Sequence, residues 1–293
     1  MQKKIAQLVD FSGNLPRHIL NKYEIKEVPV SFSFDNNHYY RENNDLDTKD
    51  FYLHMKNQPE KVPKTAAANI HDWIEAFKEM YEKGYRRFVV TAIASQLSGT
   101  MENARQAREI FLSKQQDVDI FLLETNTCAC GQAALEIKIA QILDREDLLW
   151  EDFLERAKNL VPRVTSLFSV QELTYMKAGG RIGGATAFLG NLIKIKPICE
   201  FINGTVHPIK AVRGRKKSLQ IMADTALSRI KNVQNAIIVT QNALCEEDET
   251  FMIDYLRYQL QDRCCDVFRS MVGTTVGAHS GPGAIGIGFV EDY

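Results

Sequence analysis

The sequence predicts an α/β protein of two domains, with a mostly parallel sheet in residues 1–160 and a mixed sheet in residues 161–293. The first observation is that apolar, β-rich runs alternate with segments of helical periodicity in the first half of the chain. The second is Asn203-Gly204, the favoured two-residue hairpin turn, which lies between two further β-rich runs. Because a hairpin joins antiparallel strands, the second half is predicted to mix strand directions.

Each half contains a series of predicted elements. In the first half we expect strands at 4–9, 27–34, 88–93 and 118–123, helices at 51–55, 73–81, 101–111, 131–143 and 151–160, and a loop at 62–67. In the second half we expect strands at 165–171, 198–202, 206–212, 236–240, 267–272 and 285–290, helices at 173–177, 185–195, 215–230 and 247–260, and a glycine-rich loop at 277–283.

The composition is that of an ordinary globular protein, with 293 residues of which 45% are hydrophobic and 25% charged. No apolar run reaches the length of a membrane helix, and Asp10 interrupts any signal-peptide core, so a cytoplasmic protein is expected. The six cysteines lack zinc-site spacing and paired histidines. We therefore expect free, buried thiols, no metal, no cofactor and no nucleic-acid partner.

Positive charge is concentrated in residues 177–217. This segment holds nine Lys and Arg and one acid, Glu200, a local charge of +8 on a chain of net charge −1. Such asymmetry predicts an anionic partner for one face of the molecule. A merely solvated surface is the alternative.

A hydroxyl-rich loop, Ser-Gln-Leu-Ser-Gly-Thr at 95–100, follows the strand predicted at 88–93 and precedes a helix. Ligands of open α/β sheets bind at the carboxyl ends of the strands, and a helix N-terminus offers unpaired N–H groups to an anion. The loop therefore suits a phosphate or a carboxylate. The alternative is an ordinary helix start that is capped by Ser98 or Thr100.

Several loops together resemble those of the DegV family of bacterial fatty-acid-binding proteins. In chain order they are DFSGNLP, VPVSFSF, PKTAAA, ASQLSGT, YMKAGGRI, LGNLIKIKP, AVRGRKKS and AHSGPGAIGIGF. The resemblance extends from Lys4 to Phe289, and S-x-L-S-G-T, K-x-G-G-R-I and H-x-G-P-G are its most specific parts. It implies two α/β domains that hold a long-chain fatty acid between them. For some members it also implies a separate kinase subunit, which phosphorylates the carboxylate of the bound acid.

The resemblance also implies roles for individual residues. Thr65 and Ser95 match the family's carboxylate-binding positions, and His279 matches the histidine of H-x-G-P-G. The residues expected to bind the fatty acid are Thr65, Ser95, Ser98, Arg181 and His279. The family's T-S-Q is Thr65-Ala66-Ala67 here, so a hydroxyl and an amide are missing from the expected head-group site.

Two arginines match the family's G-G-R and V-R motifs, and we expect Arg181 and Arg213 to contact the kinase subunit. A carboxylate needs one or two donors, whereas this segment has nine cations. The surplus charge is therefore expected to meet an acidic face of the kinase subunit, with transient contact with an anionic membrane as a second partner.

Each assignment has a simpler structural alternative. Thr65 would cap the helix that contains Trp73, His279 would be a satisfied core histidine, and Arg181 would be a solvated helix cap.

The affinity for a fatty acid is expected to come mainly from its alkyl chain. Burial contributes roughly 0.8 kcal/mol for each methylene of the chain, whereas a hydroxyl hydrogen bond to the carboxylate contributes about 0.5 to 3 kcal/mol in total.

Two other functions use the same loops. A serine hydrolase or acyltransferase would use Ser95 or Ser98 as nucleophile, His279 as base and Asp10 to orient the histidine. No G-x-S-x-G elbow supports this function. An enzyme acting on a phosphate ligand is the third hypothesis, and no P-loop or dinucleotide-binding glycine motif supports it.

Overall fold

The computed structural model describes residues 5–42, 45–145, 148–188, 195–261 and 266–292. The strands are β1 (Ile5–Asp10), β2 (Lys26–Val28), β3 (Ser31–Ser33), β4 (Tyr40–Arg41), β5 (Lys64–Ala66), β6 (Arg87–Ala92), β7 (Asp119–Glu124), β8 (Val164–Ser169), β9 (Ile195–Ile202), β10 (Thr205–Arg213), β11 (Ala236–Asn242), β12 (Asp266–Met271) and β13 (Ile285–Glu291).

The α-helices are α1 (Arg17–Tyr23), α2 (Thr48–Asn57), α3 (Ile70–Glu82), α4 (Thr100–Leu112), α5 (Ala129–Arg145), α6 (Trp150–Leu160), α7 (Thr174–Ala178), α8 (Arg215–Arg229), α9 (Glu246–Leu260) and α10 (Thr274–Ser280). Short 3₁₀ segments are Phe11–Gly13, Val161–Arg163, Gly183–Phe188 and Val233–Asn235.

The first large sheet has the strand order β2-β1-β6-β7, and every neighbouring pair in it is parallel. Its two central strands, β1 and β6, are almost entirely buried, as expected of parallel strands that are covered on both faces. The loops after β1, β6 and β7 therefore meet at one edge of this sheet. The prediction of a mostly parallel sheet in the first half is confirmed.

The second large sheet has the order β10-β9-β8-β13-β11-β12. Within the described residues only β11 and β12 pair in parallel, and the other neighbours are antiparallel. The predicted hairpin is β9–β10, in which Asn203 and Gly204 have φ of 49° and 77°, the left-handed conformations that such a turn requires. The prediction of a mixed sheet in the second half is confirmed.

A small antiparallel sheet, β4-β3-β5, was not predicted. The single strand expected at 27–34 is wrong, because the chain leaves the parallel sheet after β2 and begins β3 at Ser31. Pro29 lies at this break, since proline lacks the N–H that a ladder needs. The loop expected at 62–67 is also wrong in part, because β5 pairs with β3 and places Thr65 opposite Phe32.

Two corrections concern the second half. The helix expected at 185–195 is wrong: Gly183–Phe188 is 3₁₀ and Ile195 begins β9. Leu189, Leu192, Ile193 and Lys194, which belong to this predicted helix, lie outside the described residues, as do Cys264 and Cys265. The glycine-rich loop expected at 277–283 is wrong as well, because its first four residues belong to α10.

Helix α5 joins the two large sheets in one core. Its buried side chains, such as Ala133 and Ile137, pack in a cluster with Val9 and Val89 of the parallel sheet and Val239 of the mixed sheet. The strands of the parallel sheet all precede residue 160 and those of the mixed sheet all follow it. A domain boundary near this residue stays a prediction.

In the part of the chain that is described, no helix has the length and apolarity needed to cross a membrane.

Candidate functional site

A cavity of about 180 Å³ lies where the loops of the parallel sheet face the mixed sheet. We call it the main cavity. Its apolar walls come from both halves of the chain: Ile93, Leu97, Cys128, Phe168, Met176, Phe201, Val272, Val276 and Ile285. Polar side chains also line it, and seven of them contribute hydroxyl, imidazole or guanidinium groups: Thr65, Ser98, Ser166, Arg181, Thr275, His279 and Ser280. Four of the five residues predicted to bind the fatty acid are thus brought together.

Thr65 and His279 form the central polar pair of this site. The Thr65 hydroxyl oxygen lies 3.0 Å from His279 Nε2, which joins β5 to the far end of the chain on α10. Thr65 does not cap α3, whose N-terminus is capped by Asn69. Burial, and then the nearby Arg181 guanidinium, lower the pKa of His279 to about 4, so the imidazole is neutral at pH 7.

Unpartnered polar atoms distinguish this site from a satisfied core. His279 Nδ1, Ser280 Oγ and Thr275 Oγ1 are buried without a hydrogen-bond partner, and all three residues line the main cavity. Most buried polar atoms in proteins are hydrogen-bonded, so a cluster of exceptions calls for a ligand or ordered water. Thr275 and Ser280 were missed from the sequence, although both lie within four residues of His279.

The glycines of the predicted K-x-G-G-R-I loop make room for the histidine. A Cβ on Gly179 would lie 1.9 Å from His279 Nδ1, so only glycine allows the ring to occupy its place. Arg181, which follows, donates from Nε to the Leu97 carbonyl oxygen at 3.1 Å and from Nη1 to the Gly179 carbonyl oxygen at 2.6 Å. These contacts hold its guanidinium beside the cavity, so Arg181 is more than a solvated helix cap.

Residues from the first half of the chain hold α10 at its N-terminus. Asn14 Nδ2 donates to the Met271 carbonyl oxygen at 2.6 Å, and the Tyr52 hydroxyl donates to the Val272 carbonyl oxygen at 2.7 Å. The buried Glu42 carboxylate accepts the Thr274 N–H. Burial raises the pKa of Glu42 to about 7, and hydrogen bonds from Thr274 and Thr275 offset only part of this increase.

The loop of residues 95–100 divides into two parts. Ser98 lines the main cavity, and its hydroxyl oxygen accepts the Thr100 N–H at 3.3 Å at the start of α4. Ser95 does not reach the cavity: its hydroxyl donates to the Glu124 carboxylate, and its N–H donates to the same group at 3.1 Å. The expectation that Ser95 binds the carboxylate is therefore not supported by this geometry.

The residues of the hydrolase hypothesis are not assembled into a triad. His279 is paired with Thr65, Ser95 with Glu124, and Ser98 with the Thr100 hydroxyl. Asp10 is buried elsewhere, where its carboxylate accepts from Ser12, Ile93 and Gln132. No nucleophile–base–acid chain therefore connects these residues.

The remaining predicted groups lie outside the cavity or are unreactive. Arg213, at the end of β10, is exposed and does not line the cavity. Burial raises the pKa values of Cys128 and Cys130, which keeps these two wall residues as thiols. Among the described residues, no group of three or more His, Cys, Asp or Glu could hold a metal ion.

Comparison with known proteins identifies relatives along the whole chain. The profile of DegV, described as a family of uncharacterised proteins, matches residues 4–292. Protein DegV of Bacillus subtilis strain 168 is 27% identical over 286 residues, which cover 97% of this chain and 98% of that protein.

Two solved structures share the fold. A stearic acid-binding protein from Eubacterium ventriosum has a TM-score of 0.91 at 24% identity, covering 100% of this chain and 99% of its own. A fatty acid-binding DegV family protein from Thermus thermophilus has a TM-score of 0.87 at 21% identity, covering 98% and 99%. Because the DegV profile matches residues 4–292, this chain belongs to the DegV family.

Proposed function

We propose that this protein binds a long-chain fatty acid in the main cavity and presents its carboxylate to a separate kinase subunit. The observation that carries the proposal is the cavity itself, whose walls are apolar and whose unpartnered polar atoms cluster around His279. A fatty acid has the same two parts, a long alkyl chain and a single polar head. The similar Eubacterium and Thermus proteins, which are described as binding stearic acid and fatty acid, support this ligand class.

The head group is proposed to bind at Thr65, His279 and Ser98. A neutral His279 that donates from Nε2 to the Thr65 oxygen leaves the Thr65 O–H free to donate to a carboxylate. The low pKa of His279 favours this neutral form, and the nearby Arg181 supplies positive charge to the carboxylate. A buried carboxylate needs such donors, because an unpaired charge is costly to remove from water.

The alkyl chain is proposed to follow the apolar walls between the two domains, residues 1–160 and 161–293. Burial contributes roughly 0.8 kcal/mol per methylene, so the chain supplies most of the affinity. The hydroxyl and imidazole groups then fix the direction in which the acid lies. This division explains how the site tolerates Ala66 and Ala67, which offer apolar surface to the cavity where the family has polar side chains.

The catalytic step is proposed to occur on the kinase subunit, so this chain is a carrier rather than an enzyme. Arg181 and Arg213 are both exposed, and they belong to the positively charged segment 177–217. An acidic face of the kinase subunit is the partner that fits this charge, with an anionic membrane surface as a transient second contact. Arg213 lies outside the cavity, which suits contact with a partner better than contact with the acid.

Reconstitution with a kinase subunit, ATP and palmitate tests the proposal. Thr65→Ala should weaken palmitate binding by about tenfold, the loss of one hydrogen bond to a charged group, and acyl phosphate formation should fall with it. Arg213→Ala should bind palmitate normally yet form acyl phosphate slowly, and its deficit relative to wild type should shrink as salt rises, because salt screens the attraction that Arg213 supplies. Loss of palmitate binding in Arg213→Ala, or full activity in both variants, would contradict the proposal.

A further inference from the structure

A second space adjoins the main cavity. It is a cleft of about 550 Å³ between β7, α6 and the strands β8 and β9. We call it the side cleft. Ser166 and Phe201 line both the main cavity and the side cleft, so at this point the two spaces are separated by these side chains. The Phe201 ring stacks on Phe168, a wall residue of the main cavity, with ring centroids 5.0 Å apart.

The walls of the side cleft combine apolar residues with polar ones such as Asn126 and Asn203; the apolar residues include Phe121, Leu122, Leu123, Val161, Val164 and Ile202. Its charged residues are matched by neighbours. Arg229 forms an ion pair with Glu200, and the Lys158 ammonium lies 5.3 Å from the centroid of the Phe121 ring. Arg229 is therefore neutralised by an acid of the cleft, and the Lys158 ammonium contacts an aromatic ring.

Two hydroxyls of the side cleft donate to backbone carbonyl oxygens. Thr125 donates to the Ala92 carbonyl oxygen at 2.8 Å, and Thr127 donates to the Cys128 carbonyl oxygen at 3.4 Å. The buried polar atoms without partners, among the described residues, include none from the side cleft. The His279 end of the main cavity does contain such unpartnered atoms. Their absence from the described part of the side cleft favours an apolar occupant over a polar one.

We infer that the side cleft takes the methyl end of acyl chains that are too long for the main cavity. The inference rests on the proposed fatty-acid function and adds the ligand's chain-length class to it. A chain anchored at Thr65 that follows the apolar walls meets Phe201 and Ser166, and displacement of the Phe201 ring connects the main cavity to the side cleft. Each further methylene then stays in contact with apolar side chains instead of meeting a closed wall.

Two isoleucines give a matched test. Ile202, which lines the side cleft, and Ile110 on α4, which lines neither space, each expose 42% of their surface. Affinities would be measured for saturated acids from myristate to behenate. Ile202→Asp should lower the ratio of behenate to myristate affinity by about tenfold, because a carboxylate in the cleft disfavours an alkyl tail there. Ile110→Asp should keep the wild-type ratio.

Phe201→Ala tests the wall itself and should raise the same ratio, because it removes the ring between the two spaces. The inference is overturned if both Ile202→Asp and Phe201→Ala keep the wild-type ratio while myristate still binds. It is also overturned if Ile110→Asp changes the ratio as much as Ile202→Asp does. Failure of the wild-type protein to bind any acid of the series would instead overturn the proposed function, and this inference with it.

Discussion

Asp10 and His279 are two polar residues near sheet edges whose hydrogen bonding differs completely. The Asp10 carboxylate is 0% exposed and accepts from Gln132 at 2.7 Å, from the Ser12 hydroxyl at 3.0 Å and from the N–H groups of Ser12 and Ile93 at 3.2 Å. His279 uses one ring nitrogen, on Thr65, and its other nitrogen has no partner. A buried group whose hydrogen bonds are all made within the protein has a structural role. A buried polar atom without a partner instead indicates a place where a ligand binds.

This difference separates effects on folding from effects on binding. Removal of a saturated buried acceptor leaves several protein donors without partners, so the folded state loses free energy. A change beside an unsaturated group costs the fold little, since the missing partner was never part of the protein. Glu42 lies between these extremes, because one oxygen accepts the Thr274 N–H and Oε2 has no partner.

The largest effect is expected from Asp10→Ala. It leaves the N–H groups of Ser12 and Ile93 and the Gln132 amide without their acceptor, so the free energy of unfolding should fall by about 3 kcal/mol. Urea unfolding measures this loss. Palmitate affinity of the folded variant should stay close to wild type. Weakened binding at normal stability would show that Asp10 acts on the ligand site.

The next effect is a pH dependence of stability that originates in Glu42. Its pKa is raised from 4.5 to about 7 in the folded state. The folded state therefore holds a proton that the unfolded state has lost between these values, and the free energy of unfolding falls as pH rises through this range, by about 3 kcal/mol.

Comparison of wild type with Glu42→Gln isolates this contribution. His279 acts in the opposite direction: its pKa is lowered from 6.5 to about 4, and its stabilising contribution is lost as pH falls through that range. Because His279 is present in both proteins, its contribution cancels in the difference. The wild-type free energy of unfolding minus that of the variant should decline from pH 4.5 to 7. Parallel curves would show that Glu42 titrates normally.

A smaller effect is expected from Gly179→Ala, because its new Cβ displaces the His279 ring. Palmitate affinity should fall by about tenfold, because the Thr65 hydroxyl loses the His279 N–H that orients it toward the carboxylate. Gly84→Ala is the control for lost stability alone: its φ of 91° strains an alanine, whereas Gly179 has φ of −80°, and no heavy atom lies within 4 Å of the Cβ added at Gly84. If Gly84→Ala weakens binding as much, the loss reflects stability rather than the histidine.

The parts of the fold with strong local signals could be predicted. β6 and α4 differ from the expected ranges by one residue, because a buried parallel strand and an amphipathic helix have clear periodicities. β5 could not be predicted, since a three-residue strand depends on its partner β3. α10 was missed because its sequence, TTVGAHS, has weak helix propensity and its N-terminus is held by Glu42, 232 residues away.

In the candidate site, too, residues within local motifs could be predicted, whereas contacts between distant segments could not. Thr65, Ser98, Arg181 and His279 were found through family motifs, and all four line the main cavity. Ser95 lies outside the cavity because its hydroxyl donates to Glu124, a residue at the end of the neighbouring strand β7. No pattern within the loop of Ser95 indicates that contact. Glycine spacing in K-x-G-G-R-I marked a loop, but its role of admitting the His279 ring becomes visible only when the two segments meet.

The central claim is that a fatty acid binds in the main cavity, with its carboxylate at the Thr65 hydroxyl beside His279. Native mass spectrometry of gently purified protein, followed by extraction and gas chromatography, tests it most directly. We expect one bound acyl chain from the expression host, exchangeable for added palmitate or oleate and weakened in Thr65→Ala. Protein that carries no acyl chain and takes up neither acid would contradict the account.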